Sequence, residues 1–361
     1  MDIIDIAIKL GMIAAVFGAL VNVVPIMVWV ERRGSAMMQN RRGPNRIGPF
    51  GLLQSLADGV KFIWKEDRIP AHVDRFYYIL APIVSLIPAF MTFAVIPFAS
   101  TLVIDGREIV FQLADLNIGI IYILSITSLS VYGIILAAWS SNNKYALLGG
   151  LRSSAQMISY ELSMGIALVG VLMVFSSVSL RDIALMQGQT LIQLGPIAIP
   201  KWGVFVQPLG FLIFLTTVFA ETNRLPFDLP EGESEIIAGY HLEYGSMKFA
   251  LFFMAEYVNM TIGSAVIATL YFGGWQLLPG MDFLLQVLPL SGLSLEIARI
   301  GLEISSFLVK VFFFLWFFVW VRWTIPRFRF DQVMTFGWKF LLPLSLLNLV
   351  LTSLMIYFGV I

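Results

Sequence analysis

Seven carboxylates fall between Glu221 and Glu256: Glu221, Asp228, Glu231, Glu233, Glu235, Glu243 and Glu256. They lie in ETNRLPFDLPEGESEIIAGYHLEYGSMKFALFFMAEY, which also carries Tyr240 and His241 and has long apolar runs on both sides. Ionised groups resist leaving water. Acids that continue from a loop into membrane helices therefore mark a proton, ion or substrate path. Glu161, within SAQMISYELSMGIAL, is another acid inside an apolar run. Lys310 is a base inside a further run, seven residues from Glu303 and on the same helical face. Lys248, Phe252, Glu256 and Asn259 share one side of a helix and give it a polar stripe. Glu161, Glu221, Glu256 and Lys310 are the candidates for a proton path. The same acids also fit hydrogen-bonded structural roles, and Lys310 also fits a counter-ion.

The chain that must position them is 58% hydrophobic and only 13% charged over 361 residues, with a mean hydropathy of +0.86. Repeated apolar runs of roughly 20 residues point to an all-α, polytopic membrane helix bundle. Formal charge is zero, so nothing favours nucleic acid. Without cysteine, the chain itself holds no disulfide and no cysteine-ligated iron–sulfur cluster or zinc site. The two histidines, His72 and His241, both lie in hydrophilic segments, which excludes a transmembrane bis-histidine haem. Any electrons must be carried by another chain. No metal site, catalytic triad, phosphate loop or dinucleotide fingerprint is visible. Asp2 and Asp5 precede the first apolar run and no small-residue cleavage site is obvious, so that run is expected to be a retained span.

Eight spans are expected, near 5–30, 77–98, 117–139, 156–177, 204–221, 248–272, 300–322 and 339–360, within one membrane domain over 1–361. The stretch 281–299 is broken by Pro289, Gly292, Glu296 and Arg299 and is expected to be an interfacial excursion. Most of the 23 basic residues fall in the loops 31–76, 140–155, 222–248 and 322–339; only Lys9, Arg107, Arg181, Lys201 and Arg299 fall on the other side. The bias puts those loops in the cytoplasm and both termini outside. The segment ERRGSAMMQNRRGPNRIGPFG, rich in arginine, proline and glycine, is expected to be an irregular loop. Beyond it, Leu52, Leu53, Leu56, Val60, Ile63 and Trp64 recur at helical spacing against Gln54, Asp58, Lys61 and Lys65. That is an amphipathic helix too short to span and suited to the membrane surface. Loop, surface helix and flanking span could form the mouth of a pocket for a lipid-like molecule. The arginines of 32–46 fit a headgroup site, an acidic partner surface or an anchor to anionic lipid.

The blocks ERRGSAMMQNRRGPNRIGPFGLLQSLADGVKFIWKED, WSSNNKYALLGGLRSSAQMISYE, the acidic segment above and RFRFDQVMTFGWKFLLPL closely resemble the subunit 1 family of respiratory complex I, the NADH-quinone oxidoreductase of bacteria. The similarity runs in order from about residue 20 to 350. It implies a subunit of a proton-translocating NADH:quinone oxidoreductase, in the bacterial inner membrane, against which the hydrophilic arm docks. Quinone would be the substrate, entering between the first span, the surface helix and the sixth span. FMN and iron–sulfur clusters would sit on partner subunits, with other membrane-arm subunits alongside. Carried over, Glu31, Arg32, Arg33, Arg41, Arg46 and Asp58 match positions in or near the quinone chamber. Glu161, Glu221 and Glu256 match acids proposed to start a polar path, and Glu231, Glu233 and Glu235 match the acidic loop proposed to respond to quinone reduction. Lys310 has a counterpart in some members. Where some members carry a glutamate in the third span, this chain has Thr127, Ser128, Leu129 and Ser130, so hydroxyls and water would have to serve there. The stretch 276–302 looks longer than usual.

Two alternatives remain at this level: the related membrane subunit of an energy-converting hydrogenase, and a non-catalytic anchor for a redox arm. A stand-alone transporter is weakened by the lack of a visible inverted repeat.

Overall fold

A computed structural model describes residues 3–104, 106–194, 197–230, 232–279, 281, 285 and 292–359, without the side chains of residues 192, 194, 197, 198, 233 and 234. Seven helices are long and apolar enough to cross a membrane. They are α1 (Ile3–Met38), α3 (Arg75–Thr92, continued by a 3-10 turn to Val95), α4 (Gly119–Ser140), α5 (Lys144–Phe175), α10 (Ser246–Tyr271), α11 (Leu293–Thr324) and the C-terminal stretch Phe330–Tyr357. That last stretch is α12 (Phe330–Thr335), a π-helical segment (Phe336–Leu341) and α13 (Leu342–Tyr357). Short helices α2 (Gln54–Trp64), α6 (Leu180–Met186), α7 (Gly203–Val206) and α9 (Glu233–Ile236) lie between them.

The eighth expected span is split. α7 ends at Gln207, and α8 (Pro208–Glu221) restarts as a 14-residue helix. A residue before proline is pushed out of the α region, and Gln207 sits at φ −132°, ψ 58°. Its buried amide is satisfied by Asn348 (3.1 Å) and Thr352 (2.6 Å) of α13.

Three expected boundaries move. α1 continues through Glu31-Arg32-Arg33-Gly34-Ser35-Ala36 to Met38, so the irregular loop starts only at Gln39. The first proline of that segment is Pro44; Arg, Ala and Met ahead of it are good helix formers, and they outweigh the lone Gly34. α5 starts at Lys144 rather than 156, capped by the Asn143 side chain on the Tyr145 amide (2.9 Å). α11 starts at Leu293, so the C-terminal part of the expected interfacial excursion is helix, and most of 280–291 lies outside the described residues. Two short antiparallel hairpins were not anticipated: β1 (Thr101–Ile104) with β2 (Arg107–Val110), and β3 (Thr190–Leu194) with β4 (Ile197–Pro200). Both are runs rich in β-branched residues, too short to register against the apolar spans around them.

α3 packs along α4, α5 lies against α4, α8 and α13, and α10 against α1, α3 and α11. Close approach of α3 and α4 requires Gly133, where a Cβ would stand 2.1 Å from the Ser85 hydroxyl. α2 rests against α1 and α10 with Leu56, Val60, Ile63 and Trp64 exposed, the arrangement expected of a helix lying on a membrane surface.

Candidate functional site: a buried charge track from α1 to α5

Glu221 is the last residue of α8, at the junction with the acidic loop. Gln156 of α5 fixes that junction: its amide nitrogen donates to the carbonyls of Ala220 (2.7 Å) and Phe227 (2.8 Å). Glu221 faces Glu161 of α5 and the Thr127 hydroxyl of α4, and Ser128 hydrogen-bonds the Glu161 carboxyl. The hydroxyls of the third span thus stand beside the two acids.

Two small cavities share Ser130, Glu221, Thr222 and Asn259 as walls. The first, about 40 Å³, extends towards Thr127, Met164 and Gly263. The second, about 30 Å³, extends towards Asn223, Tyr240 and Glu256. A water needs roughly 10–15 Å³ of such space and two or more polar partners. Both cavities meet that requirement, so water can join Glu221 to Glu256.

From Glu256 the track continues through side chains. The Tyr240 hydroxyl lies 3.4 Å from one Glu256 oxygen, and Arg224 lies 3.6 Å from the other. Arg224 is 5% exposed; its guanidinium sits 4.3 Å from the centre of the Tyr257 ring and 3.9 Å from Glu31. Glu31, buried on α1, also accepts from the Tyr257 hydroxyl (2.7 Å) and pairs with Arg322 of α11. One cation therefore sits between two acids, at ion-pair distances too long for direct hydrogen bonds.

Beyond Glu31 the track reaches the surface. Arg32 pairs with Asp58 of α2 at 2.5 Å, and Gln54 and Lys61 reach the same carboxylate. Burial alone would raise the Asp58 carboxyl, but hydrogen bonds from Arg32 and Gln54, with the Arg32 charge, hold it below its ordinary range. Arg33 donates to the Phe50 carbonyl (2.9 Å) and stacks between Trp29 and Phe50. Arg41 is exposed and held by Gln39 (2.7 Å). Arg46 is exposed and stands apart from this network.

The acidic loop is tied down at several points. Glu235 pairs with Arg152 of α5 (2.5 Å) and lies 3.8 Å from Arg327. The Arg152 hydrogen bond, helped by the charges of Arg152, Arg327 and Arg329, holds the Glu235 carboxyl below its ordinary range. Glu243 accepts from Asn143 (2.8 Å) and lies 3.7 Å from His72, while His241 packs edge-on against Tyr240 and Phe249. Asp228 is half-buried. Glu231 and the Glu233 side chain lie outside the described residues. Ser246 meets the carbonyls of Phe62 and Lys65, and Lys248 pairs with Asp67, so the end of the loop is fastened to the surface helix.

Lys310 is placed apart from this track, at the other end of α10. Its ammonium donates to the carbonyls of Gly274 (2.9 Å) and Gln276 (2.6 Å) and lies 4.9 Å from the Trp202 ring. Glu303 accepts from Arg299 (3.0 Å) and the Ser100 amide (2.8 Å) rather than from Lys310. Arg224, Arg322 and Tyr257 were not anticipated from sequence. Arg224 carried the one available signal, a cation three residues after Glu221 at the end of an apolar run.

A family model described as NADH dehydrogenase matches residues 10–353. The chain is 47% identical over 357 residues to an NADH-quinone oxidoreductase subunit of Koribacter versatilis, covering 95% of each chain. It is 49% identical over 339 residues to NADH-quinone oxidoreductase subunit 8 of Rhodothermus marinus, with 94% of each covered. It is 42% identical over 384 residues to an NADH-quinone oxidoreductase subunit of Bdellovibrio bacteriovorus, covering 99% of this chain and 98% of that one. A match of this length, over the spans and loops alike, means that the chain is a multi-pass membrane protein and belongs to the subunit 1 family of NADH-quinone oxidoreductases.

Proposed function

We propose that this chain forms the membrane wall of a quinone-access chamber and couples quinone reduction to proton translocation, within a complex whose other subunits oxidise NADH. The relatives are named as subunits of NADH-quinone oxidoreductases. FMN, the iron–sulfur clusters and the electron path then belong to peripheral-arm subunits docked on the face formed by the 31–76 and 222–248 loops. The excess of lysine and arginine in those loops puts that face in the cytoplasm of a bacterial inner membrane, with both termini outside.

The observation that carries the reading is the unbroken sequence Glu31, Arg224, Glu256, Tyr240, Glu221, Glu161, joined by ion pairs, a hydrogen bond and two water-sized cavities. Its near end lies beside the α1–α2 mouth and its far end in the middle of the bundle. Reducing quinone near Glu31 changes the charge felt by Arg224. A cation poised between two acids responds by favouring one of them, which alters proton occupancy at Glu256 and then at Glu221 and Glu161. Water exclusion makes the coupling strong, because the interaction is weakly screened in the interior.

The test is Glu221→Gln and Glu161→Gln in the intact complex, scored three ways. NADH oxidation with an acceptor reduced at the peripheral arm reports assembly and is expected to stay near wild type. Quinone-dependent turnover and quinone-coupled proton translocation are expected to fall about tenfold or more, the effect of roughly 1.4 kcal/mol on a coupled step. Normal turnover and pumping in both variants would leave the chain as a passive anchor and end the relay reading.

A further inference from the structure

We propose that the groove between α1 and α11 holds one anionic phospholipid, with its phosphate at Arg41 and Arg42 and an acyl chain in the groove. The groove, about 640 Å³, is lined by Gly34, Met37 and Met38 of α1 and by Phe313, Trp316 and Trp320 of α11. Gly34 is required for its floor: a Cβ there would lie 3.2 Å from the Trp316 ring, so only glycine lets that ring lie against α1 without displacement. Trp316, Trp320 and Trp323 follow one another by four and three residues, which puts them in one stripe of α11. Tryptophan in such stripes favours the headgroup level of a bilayer. The stripe leads from the groove to a second recess of about 320 Å³, where Trp323 meets Glu31, Arg32, Ser35, Arg41 and Arg42.

Charge decides the occupant. In that recess Glu31 is already matched by Arg322 and Arg224, and Arg32 by Asp58. Arg41 is held at Nε by Gln39, which leaves its terminal nitrogens available, and Arg42 is exposed with no hydrogen bond or ion pair among the described residues. Two guanidiniums at the rim of an apolar groove suit a phosphate, which each can grip with two donors. A neutral quinone ring would leave both charges unanswered. Basic pockets between transmembrane helices on the loop-rich side of a membrane are where anionic headgroups bind. The site is distinct from the Glu31–Arg224–Glu256 track, since its walls are the opposite side of α1 and the tryptophan stripe of α11.

The experiment uses the intact complex in phosphatidylcholine vesicles doped with a phosphatidylglycerol carrying a photoreactive group on its acyl chain. Labelling is expected within 34–42 and 313–323, competed by unlabelled phosphatidylglycerol but not by added phosphatidylcholine. Arg41→Gln with Arg42→Gln should lower labelling about fivefold or more, on the scale of roughly 1 kcal/mol per basic residue near an anionic headgroup. Arg41→Lys with Arg42→Lys should retain most of it, which separates lost charge from misfolding. Equal labelling by photoreactive phosphatidylcholine would overturn the proposal. So would displacement of the label by a quinone analogue, which would make the groove a quinone entrance and leave the coupling reading intact. Absence of label would also overturn it and mean that another chain of the complex covers the groove.

Discussion

Buried charge collects at both ends of α10, and the two collections are built differently. Near its start, Glu31, Arg224 and Glu256 face one another at 3.6–3.9 Å, with cavities beyond them. Past its end, roughly 20 Å further along the helix axis, Lys310 is held by two backbone carbonyls and Glu303 by a backbone amide and Arg299. The first set is matched by other ionisable groups with room for water between them. The second is matched mainly by fixed backbone groups at hydrogen-bond distance. Backbone partners cannot gain or lose protons, so the second set has one stable arrangement, whereas the first has several of similar energy. Burial of a charge does not by itself locate function in this bundle; the mobility of the charges around it does.

The largest effect is expected from Arg224→Leu, which leaves Glu31 and Glu256 without the cation between them. Breaking a buried pair costs about 3–5 kcal/mol, so quinone-dependent turnover should drop a hundredfold or more and the assembled complex should lose thermal stability. Arg224→Lys, which keeps charge but loses the planar contact with Tyr257, should recover part of the turnover. If Arg224→Leu pumps normally, the first set is as static as the second, and the contrast fails.

Next in size is Lys310→Met. Each of the two carbonyls it would abandon is a buried acceptor whose loss of a partner costs about 1–3 kcal/mol. The expected outcome is a lowered unfolding temperature with proton translocation per turnover unchanged. Full assembly with abolished pumping would instead make Lys310 a relay and erase the difference between the two ends.

These expectations mark what sequence could and could not supply. Carboxylates in apolar runs stand out because a bilayer penalises them wherever they point, so Glu161, Glu221 and Glu256 were visible as individual residues. Their relative placement was not, since the Glu31–Tyr257 contact joins residues 226 apart and no local period encodes such a pairing. Arg322 looked like an ordinary charge at the end of a span, yet it neutralises Glu31. Lys310 and Glu303 share a helical face, as their spacing requires, but each found a backbone partner from a different segment. The surface helix was legible because its amphipathic period is local. The break at Gln207 had a local cause too, in Pro208, and was hidden by apolar residues on either side.

A smaller effect should come from the third span. Ser128→Ala removes the hydroxyl bonded to Glu161, and Thr127→Val the one beside Glu221. A hydrogen bond contributes about 0.5–1.5 kcal/mol net, so each variant should lower coupled translocation by a few-fold, and the pair by more than either alone. No change in the double variant would mean that the cavity waters alone carry the connection.

The smallest effect lies on the loop, and its pH dependence has a definite sign. Glu235 is held below its ordinary range by Arg152, so this pair stabilises the loop fully above the unfolded carboxyl's range and progressively less as pH falls through the lowered folded value. The Glu235 side chain is 39% exposed, and solvent screening limits such a pair to less than about 1 kcal/mol. Hydrogen exchange of the backbone around 233–236 should therefore be slow at neutral pH and show protection lost only on strong acidification, after correction for the intrinsic pH dependence of exchange. Arg152→Gln should shift that loss upwards, towards the ordinary glutamate range, while leaving exchange in α10 unchanged. Were acidification to release α10 and the loop together, the loop and the buried track would be one cooperative unit. The comparison would then have to be drawn between this whole half of the bundle and the Lys310 end.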